Sequence, residues 1–273
     1  MSRPSDPHAL DLLISEVQGS AKYKDISPDV VRTVAAQEIG KRRTLKEAIK
    51  ATKNKLHQVS MAYLDPRDNY AAWLQQFREA YQAGDIEANK QINKQIMSHH
   101  ASTRERLPLL DQFYSTLLAD LPPINSVLDL ACGLNALALP WFPGTEQISY
   151  YGCDIYRPMI DFLNAALEIM GIKGYAKVQD ILRSPPIQEV DLALVLKTIP
   201  CLEQIDRQAG ARLLRAVNAQ YMIVSFPAQS LGGRNKGMVT NYETHFYQLI
   251  EGESWHIRKF EFATELAFVV KKS

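Results

Sequence analysis

The chain has 273 residues, 46% of them hydrophobic, and its 31 lysine and arginine residues are balanced by 30 aspartate and glutamate residues. This length allows one large or two modest domains with a real core, and the balanced charge excludes a polybasic tail while allowing a local basic patch. The three cysteines lack the number and spacing of a disulfide framework or a zinc site, and no signal segment or 18-residue apolar run is found, so we expect a cytoplasmic protein without metal.

Residues 7–114 show the periodicity of helices. Apolar residues recur three and four positions apart, and the interruptions are typical of helix boundaries. These interruptions are Ser27-Pro28, Asp65-Pro66 and Gly84-Asp85. The pattern predicts an all-helical N-terminal domain, to which we assign residues 1–105.

After the two prolines at 122–123 the pattern changes to short apolar runs separated by helical stretches. The runs are SVLDLA, ISYYGCD, YAKVQD, VDLALVL, YMIVSF, WHIRKFEF and ELAFVVKK. Strands that alternate with helices predict an α/β domain with a mostly parallel sheet, residues 106–273. The last two runs leave no room for a helix between them, so we expect an antiparallel hairpin at one side of the sheet.

The first predicted strand ends in the turn DLACGLN, residues 129–135, which has a single glycine, Gly133. Turns that bind a dinucleotide favour three glycines, because the backbone must approach a pyrophosphate. A ligand without phosphate, such as S-adenosylmethionine, needs less of that approach. Asp154 ends the second strand, where a carboxylate reaches ribose hydroxyls, and Asp180 follows the third strand, where it would face the adenine amino group. The alternative for each is an ordinary helix cap.

Four longer motifs carry a resemblance to a known family. They are HASTRER at 100–106, DLACGLN at 129–135, GCDI at 152–155 and SFPAQSLGGRNKGM at 225–238. Together they resemble the aminoglycoside-resistance methyltransferases of 16S ribosomal RNA, from about residue 22 to the C-terminus. The resemblance implies a class I S-adenosylmethionine-dependent methyltransferase with a Rossmann-like, seven-stranded sheet. It also implies methylation of N7 of guanine 1405 in the decoding site of the assembled 30S subunit, which gives aminoglycoside resistance.

The resemblance implies a set of residues for S-adenosylmethionine. Arg106 would pair with the carboxylate of the methionine part, a role that suits a planar guanidinium, and Tyr63 would close over the cofactor. Alternatives are a surface ion pair for Arg106 and a core position for Tyr63. The implied cofactor residues are Tyr63, His100, Ala101, Ser102, Arg106, Ala131, Gly133, Asp154, Ile155, Asp180, Ile181 and Leu196.

The expected reaction needs little chemical assistance. Guanine N7 has an exposed lone pair and no proton, so it needs no general base, and in-line positioning can lower the barrier by roughly 7–11 kcal/mol. A carboxylate near the base, for which Glu265 is a candidate, would stabilise the positive charge of the product. The residues that we assign to the target base are Lys197, Arg234, Met238 and Glu265. For Lys197 the alternative is a solvated strand end, and for Glu265 an ordinary hairpin residue.

The segment KRRTLKEAIKATKNK, residues 41–55, has seven basic residues and one glutamate. On a helix, one face would be apolar and a neighbouring face cationic, so the helix could pack on one side and contact phosphates on the other. Such contacts position a protein without reading sequence, which favours recognition of the shape of an assembled subunit. From the balanced charge and the need to dock on a ribosome we expect a monomer. The alternative is a solvated helix face. The RNA-binding residues that we predict are Lys41, Arg42, Arg43, Lys46, Lys50, Lys53, Lys55, Arg234 and Lys236.

Two other functions remain open at this point. One is a methyltransferase of another ribosomal RNA base or of a small molecule, although the basic segment and the glycine-rich SLGGRNKGM stretch speak against a small molecule. The other is a non-catalytic RNA-binding protein with the same fold.

Overall fold

The computed structural model of the protein describes residues 8–65, 68–228 and 237–273. Its N-terminal part is helical, as predicted. The helices are α1 (Ala9–Gln18), α2 (Pro28–Ile39), α3 (Leu45–Leu56), α4 (Tyr70–Gln82), α5 (Ile86–Met97), α6 (Ala101–Arg106) and α7 (Leu110–Leu118). Pro28 lies in the first turn of α2, and the Asp85 carboxylate caps α5 by accepting the backbone N–H groups of Glu87 and Ala88, so two of the predicted boundaries have a local cause.

These helices belong to two packing groups. Helices α1–α3 share a core of their own, which includes Leu13, Val31 and Leu56. Helices α4, α5 and α7 instead pack with the sheet, through residues such as Phe77 and Phe113. The division that we assign between residues 105 and 106 lies inside α6, and the boundary between the two cores lies earlier in the chain.

A seven-stranded sheet forms the rest of the molecule. Its strands are β1 (Ser126–Leu130), β2 (Ser149–Asp154), β3 (Lys173–Val178), β4 (Val190–Leu196), β5 (Ala219–Pro227), β6 (His256–Glu261) and β7 (Glu265–Lys271), in the order β3-β2-β1-β4-β5-β7-β6. The first five strands are parallel. Strand β7 pairs antiparallel with both β5 and β6, so the predicted hairpin is confirmed.

Helices cover both faces of the sheet. They include α8 (Arg157–Ile169), α9 (Ile199–Glu203), α10 (Ala209–Ala216) and α11 (Met238–Leu249). This explains why β1, β4 and β5 are apolar along most of their length, since a parallel strand is buried on both sides. No helix within the described ranges has the length and apolar character needed to cross a membrane.

The α1–α3 group lies on the carboxyl ends of the parallel strands. The backbone N–H of Ser27 donates to the carbonyl of Ile155 at 2.8 Å, and that of Arg157 donates to the carbonyl of Asp25 at 3.1 Å. A cleft lies between this helical group and the sheet.

Candidate active site

The cleft opens at the carboxyl ends of the strands and spans about 850 Å³ of space, open solvent included. Ligands of open α/β sheets bind at this edge of the sheet. The predicted site residues that line it are Tyr63, His100, Ser102, Ala131, Asp154, Ile155, Asp180, Ile181, Leu196 and Lys197. The structure thus brings together residues that are up to 134 positions apart in the chain, from Tyr63 to Lys197.

The turn after β1 brings the backbone close to the cleft. Ala131 and Gly133 have φ angles of +54° and +52°, a region that side chains disfavour. A Cβ atom on Gly133 would lie 2.7 Å from Cε1 of His100, so the glycine is needed for space as well as for conformation. Ala131 lines the cleft, whereas Gly133 lies behind the His100 ring.

Asp154 is held in place by the backbone. Its Oδ2 accepts the N–H of Gly133 at 2.9 Å, and its Oδ1 accepts that of Ile155 at 2.6 Å. Burial raises the pKa of Asp154, and backbone N–H groups oppose that shift. Each oxygen keeps acceptor capacity for a ligand hydroxyl, so the carboxylate is oriented for the predicted ribose contact.

Asp180 lies two residues after the end of β3 and is 6% exposed. Its Oδ1 accepts the N–H of Leu182 at 3.0 Å, and its Oδ2 accepts the hydroxyl of Thr33 at 2.8 Å. The second contact comes from α2, and no sequence motif indicated it.

Tyr63 and His100 form the helical side of the cleft. Their rings are stacked with centroids 6.0 Å apart, and the N–H of Ala101 donates to the carbonyl of Tyr63 at 2.9 Å. Ala101 is buried and does not line the cleft, so its contribution is indirect: its N–H fixes the backbone of Tyr63. The Tyr63 hydroxyl lies 3.1 Å from Sγ of Cys201.

The His100 imidazole is neutral at pH 7. Burial lowers its pKa to about 4, and the positive charges of Arg106, Arg104 and Lys197 add to this effect. Its Nδ1 is buried and has no hydrogen-bond partner among the described residues. A buried polar atom of this kind is a place for a ligand atom.

Arg106 is placed differently from the prediction. It is fully buried, outside the cleft lining, and forms a bidentate pair with Glu265: Nη2 to Oε1 at 2.7 Å and Nε to Oε2 at 3.0 Å. Its Nη1 donates to Asn135 at 3.0 Å. Burial alone would lower the pKa of Arg106, but the Glu265 carboxylate raises it. The guanidinium that we expected to bind the methionine carboxylate therefore already has a carboxylate partner.

Glu265 is also placed differently from the prediction of a carboxylate beside the target base. It is fully buried, lies outside the cleft lining, and accepts the Ser225 hydroxyl at 2.5 Å besides its contacts with Arg106. Burial would raise the pKa of Glu265, but Arg106 and Lys197 hold it below its usual value. The negative charge is thus matched inside the protein.

Lys197 lines the cleft at the end of β4, with a φ angle of +57°. It is 7% exposed, and its Nζ lies 2.7 Å from Glu105 and 3.4 Å from Glu265. Its ammonium is therefore paired on two sides, which differs from both a free contact to RNA and a solvated strand end. We term Arg106, Lys197, Glu105 and Glu265 the buried ionic cluster.

Of the predicted residues near the target base, Met238 is the first residue of α11 and is half-buried. Arg234 and Lys236 lie outside the described residues. Their predicted roles therefore remain predictions.

The basic segment, residues 41–55, contains both paired and exposed cations. Helix α3 begins after Thr44, whose hydroxyl accepts the N–H of Glu47. The apolar face that we expected, Leu45, Ile49, Thr52 and Leu56, packs toward the α1–α3 core; Thr52 and Leu56 are fully buried, Leu45 and Ile49 are partly buried, and Ala48 is buried with them. The positions and contacts of the cations are as follows: Lys41 and Arg42 pair with Glu38, Lys53 donates to Ser20, Lys55 donates to the carbonyl of Gln204, and Arg43, Lys46 and Lys50 are exposed.

The side chains of Arg43, Lys46 and Lys50 have no hydrogen bond or ion pair with another residue in the described ranges. We term these three residues the free basic face. An unpaired cation keeps its charge available to an external phosphate, so these three are the residues of the segment best suited to bind RNA.

Several lining residues were missed by the sequence analysis. Val30, Val59 and Ser60 come from the α1–α3 group, and Cys201 and Thr198 come from the region after β4. Val59 and Ser60 lie in the π-helical turn His57–Met61 that continues α3. For Val59 and Ser60 the one signal in the sequence was their nearness to Tyr63. Helix periodicity does not distinguish residues that face a core from residues that line a cleft.

The residues of the cleft fit S-adenosylmethionine. Asp154 and Asp180 offer oriented carboxylates to hydroxyl and amino groups, and Ile155, Ile181 and Leu196 offer apolar surface to a flat base. The unpartnered Nδ1 of His100 offers a further polar contact. Within the described ranges, no group of three or more His, Cys, Asp or Glu side chains could hold a metal ion.

The strand order and this cleft define a class I S-adenosylmethionine-dependent methyltransferase, as the resemblance implied. Comparison with known proteins agrees. The family model described as "Ribosomal RNA methyltransferase (FmrO)" matches residues 19–269. The chain therefore belongs to this family of ribosomal RNA methyltransferases, and the family predicted from its motifs is confirmed.

Individual relatives cover 95% or more of this chain. One is the 16S rRNA (guanine(1405)-N(7))-methyltransferase of Micromonospora rosea, 37% identical over 274 residues and 100% of both chains. Another, of the same description, is from Serratia marcescens, 35% identical over 95% of this chain and 97% of the relative. The solved structure of the 16S rRNA methyltransferase RmtF in complex with S-adenosyl-L-homocysteine is 29% identical, covers 98% of this chain and 99% of that one, and has a TM-score of 0.81.

Proposed function

We propose that the protein transfers the methyl group of S-adenosylmethionine to N7 of guanine 1405 of 16S ribosomal RNA in the assembled 30S subunit, and so gives resistance to aminoglycosides. The observation that carries this proposal is the cleft with its oriented Asp154 and Asp180 carboxylates, one wall of which comes from the helical group that bears the free basic face. Its relatives described as 16S rRNA (guanine(1405)-N(7))-methyltransferases, which match over 95% or more of this chain, support the choice of base and atom.

The cofactor, when bound, supplies an electrophilic methyl group that the N7 lone pair attacks. The protein's own residues bind and orient. Asp154 and Asp180 hold hydroxyl and amino groups, and neutral His100 offers a hydrogen-bonding nitrogen without adding positive charge to the cleft. No residue needs to remove a proton, because guanine N7 carries none, and positioning alone supplies roughly 7–11 kcal/mol.

The partner in this proposal is the folded subunit. The free basic face contacts phosphates of the 30S subunit and fixes the orientation of the enzyme, and the target base rotates into the cleft at a cost of a few kcal/mol that these contacts offset. Lys197 remains paired with Glu105 and Glu265 and shapes the entrance. The enzyme acts as a monomer in the cytoplasm, without a metal ion.

The test is to incubate the protein with purified 30S subunits and S-adenosylmethionine, treat the RNA with borohydride and aniline, and map the breaks by primer extension. This chemistry cleaves RNA at N7-methylguanine. We expect one new stop, at guanine 1405, and none with Asp154→Asn, which alters the carboxylate that orients the cofactor. A stop at another guanine, or labelled methyl groups in RNA without any stop, would contradict the proposed base or atom.

A further inference from the structure

The contact between α2 and Asp180 joins the helical N-terminal group to the cofactor cleft. The Thr33 hydroxyl lies 2.8 Å from Oδ2 of Asp180, a residue 147 positions later in the chain. The same hydroxyl lies 2.9 Å from the carbonyl oxygen of Asp29 in its own helix. A hydroxyl has one proton and cannot donate to both oxygens at once, and a charged acceptor forms the stronger bond. The proton is therefore directed to Asp180.

The two Asp180 oxygens are thus held by different parts of the fold. Oδ1 accepts the N–H of Leu182 in its own loop, at 3.0 Å. Oδ2 is fixed by α2, whose neighbouring turn also places Val30 in the cleft wall. Without the Thr33 hydroxyl the carboxylate would retain one hydrogen bond, about which it could rotate.

Helix α2 is itself fixed against the sheet. The N–H of Ser27, at its N-cap, donates to the carbonyl of Ile155 at 2.8 Å, and Ile26 forms an isolated antiparallel bridge with Tyr156. Val30 and Val31 are almost fully buried. Thr33 therefore stands on a rigid element, which is a requirement for a residue that orients another side chain.

We propose that Thr33 is a positioning residue of the cofactor site, which orients the Asp180 carboxylate toward the exocyclic amino group of the cofactor's adenine. The α1–α3 group then contributes to cofactor affinity through one hydrogen bond across the cleft wall, in addition to its contacts with RNA. This inference rests on the proposed use of the cleft for S-adenosylmethionine, but not on the identity of the methylated base.

The test is calorimetric titration of the full-length protein with S-adenosylhomocysteine and with its analogue that carries hydrogen in place of the adenine amino group. We expect Thr33→Val, which keeps the shape but removes the hydroxyl, to bind S-adenosylhomocysteine about tenfold more weakly, as for the loss of a hydrogen bond to a charged group. Binding of the deamino analogue should change by less than about threefold, because that ligand has no amino group for Asp180 to accept.

Two variants serve as controls. Thr33→Ser retains the hydroxyl and should restore the preference for the amino group. Thr52→Val removes a hydroxyl from α3 in the same helical group, where the Thr52 oxygen is buried and has no hydrogen-bond partner among the described residues, so it should leave both affinities unchanged.

The outcomes are distinguishable. Wild-type affinity of Thr33→Val for S-adenosylhomocysteine, or an equal loss for both ligands, would overturn the role of Thr33, since an equal loss indicates a general disturbance of the cleft. Absence of binding to the wild-type protein would instead contradict the proposed function itself.

Discussion

The molecule uses similar charged side chains in two opposite ways. In the buried ionic cluster, Arg106 and Lys197 lie against Glu105 and Glu265, with Arg106 and Glu265 completely removed from solvent. On the free basic face, cations of the same types are exposed and have no partner among the described residues. Arginine and lysine therefore do not reveal their role by identity alone; the available carboxylates decide whether a cation is paired inside the protein or left available to another molecule.

The energetic consequences differ accordingly. A buried charge that loses its partner keeps its desolvation penalty, so the loss is costly even where the pair adds little net stability. An exposed cation has no such penalty, and its replacement affects folding little but changes the field that a phosphate experiences. This contrast can be tested by changing charges in each region and measuring the free energy of unfolding for the buried ionic cluster and the interaction with subunits for the free basic face.

The largest effect on stability is expected for Glu265→Gln. This change leaves Arg106 buried without its counter-charge, and removal of one member of a buried pair costs about 3–5 kcal/mol. We expect a loss of that size in the free energy of unfolding, measured by urea denaturation. Glu261→Gln, on the exposed face of the neighbouring strand β6, is the matched control and should change the free energy of unfolding by less than about 0.5 kcal/mol. Equal stability of the two variants would contradict a structural role for the cluster.

The next effect concerns pH and the uncharged His100 beside the cluster. Its pKa of about 4 in the folded protein is below the usual value, so the unfolded chain binds a proton that the folded protein does not. Above the ordinary histidine pKa near 6.5, His100 is neutral in both states and does not lower the free energy of unfolding. As the pH falls from 6.5 toward 4, the unfolded chain takes up the proton first, so the free energy of unfolding falls by at most about 1.4 kcal/mol per pH unit. In His100→Asn, the free energy of unfolding from denaturation curves should fall less steeply with pH over this window than in the wild-type protein. Parallel pH profiles of the two proteins would refute the assignment.

A smaller effect, confined to the cofactor cleft, is expected for Gly133→Ala. The new Cβ would meet the His100 ring at 2.7 Å, in a backbone conformation that costs roughly 1–2 kcal/mol for a residue with a side chain. Because the N–H of Gly133 also holds Asp154, cofactor affinity should fall at least about tenfold, measured by calorimetry with S-adenosylhomocysteine.

Gly144→Ala separates the two causes in the glycine experiment. Gly144 has a φ angle of +70° but nothing within 4 Å of its added Cβ, so this variant has the conformational cost alone and should bind the cofactor normally. Similar cofactor affinities for the two alanine variants would mean that the contact with His100 does not matter.

The regular parts of the fold were predictable because they have local causes. Each of the seven apolar runs became a strand, and the lack of space before the last run identified the hairpin. The turn at Gly133 and the position of Asp154 followed from the end of a strand, which is visible in the sequence. The end of the third strand likewise indicated Asp180, and the family motif HASTRER indicated His100; both line the cleft.

Partners across the fold were not predictable. Arg106 and Glu265 are separated by 159 positions, and the sequence offered no means of choosing Glu265 over a cofactor carboxylate as the partner of this arginine. Thr33 was missed for the same reason, since its partner Asp180 lies beyond several elements. The basic segment was predicted as one surface, but several of its cations are paired with Glu38 or hydrogen-bonded to Ser20 and the carbonyl of Gln204.

The different roles of the buried ionic cluster and the free basic face are tested most directly by the kinetics of methyl transfer to 30S subunits. Arg43→Glu/Lys46→Glu/Lys50→Glu should raise the KM for subunits at least about 100-fold and weaken its dependence on salt, because several phosphate contacts are lost. The kcat should stay near the wild-type value, as should the affinity for S-adenosylhomocysteine. Lys173→Glu/Lys177→Glu, which reverses exposed charges on strand β3, is the control and should resemble wild type. A fall in kcat with an unchanged KM would contradict the account, since it would place the free basic face in the reaction instead of in docking.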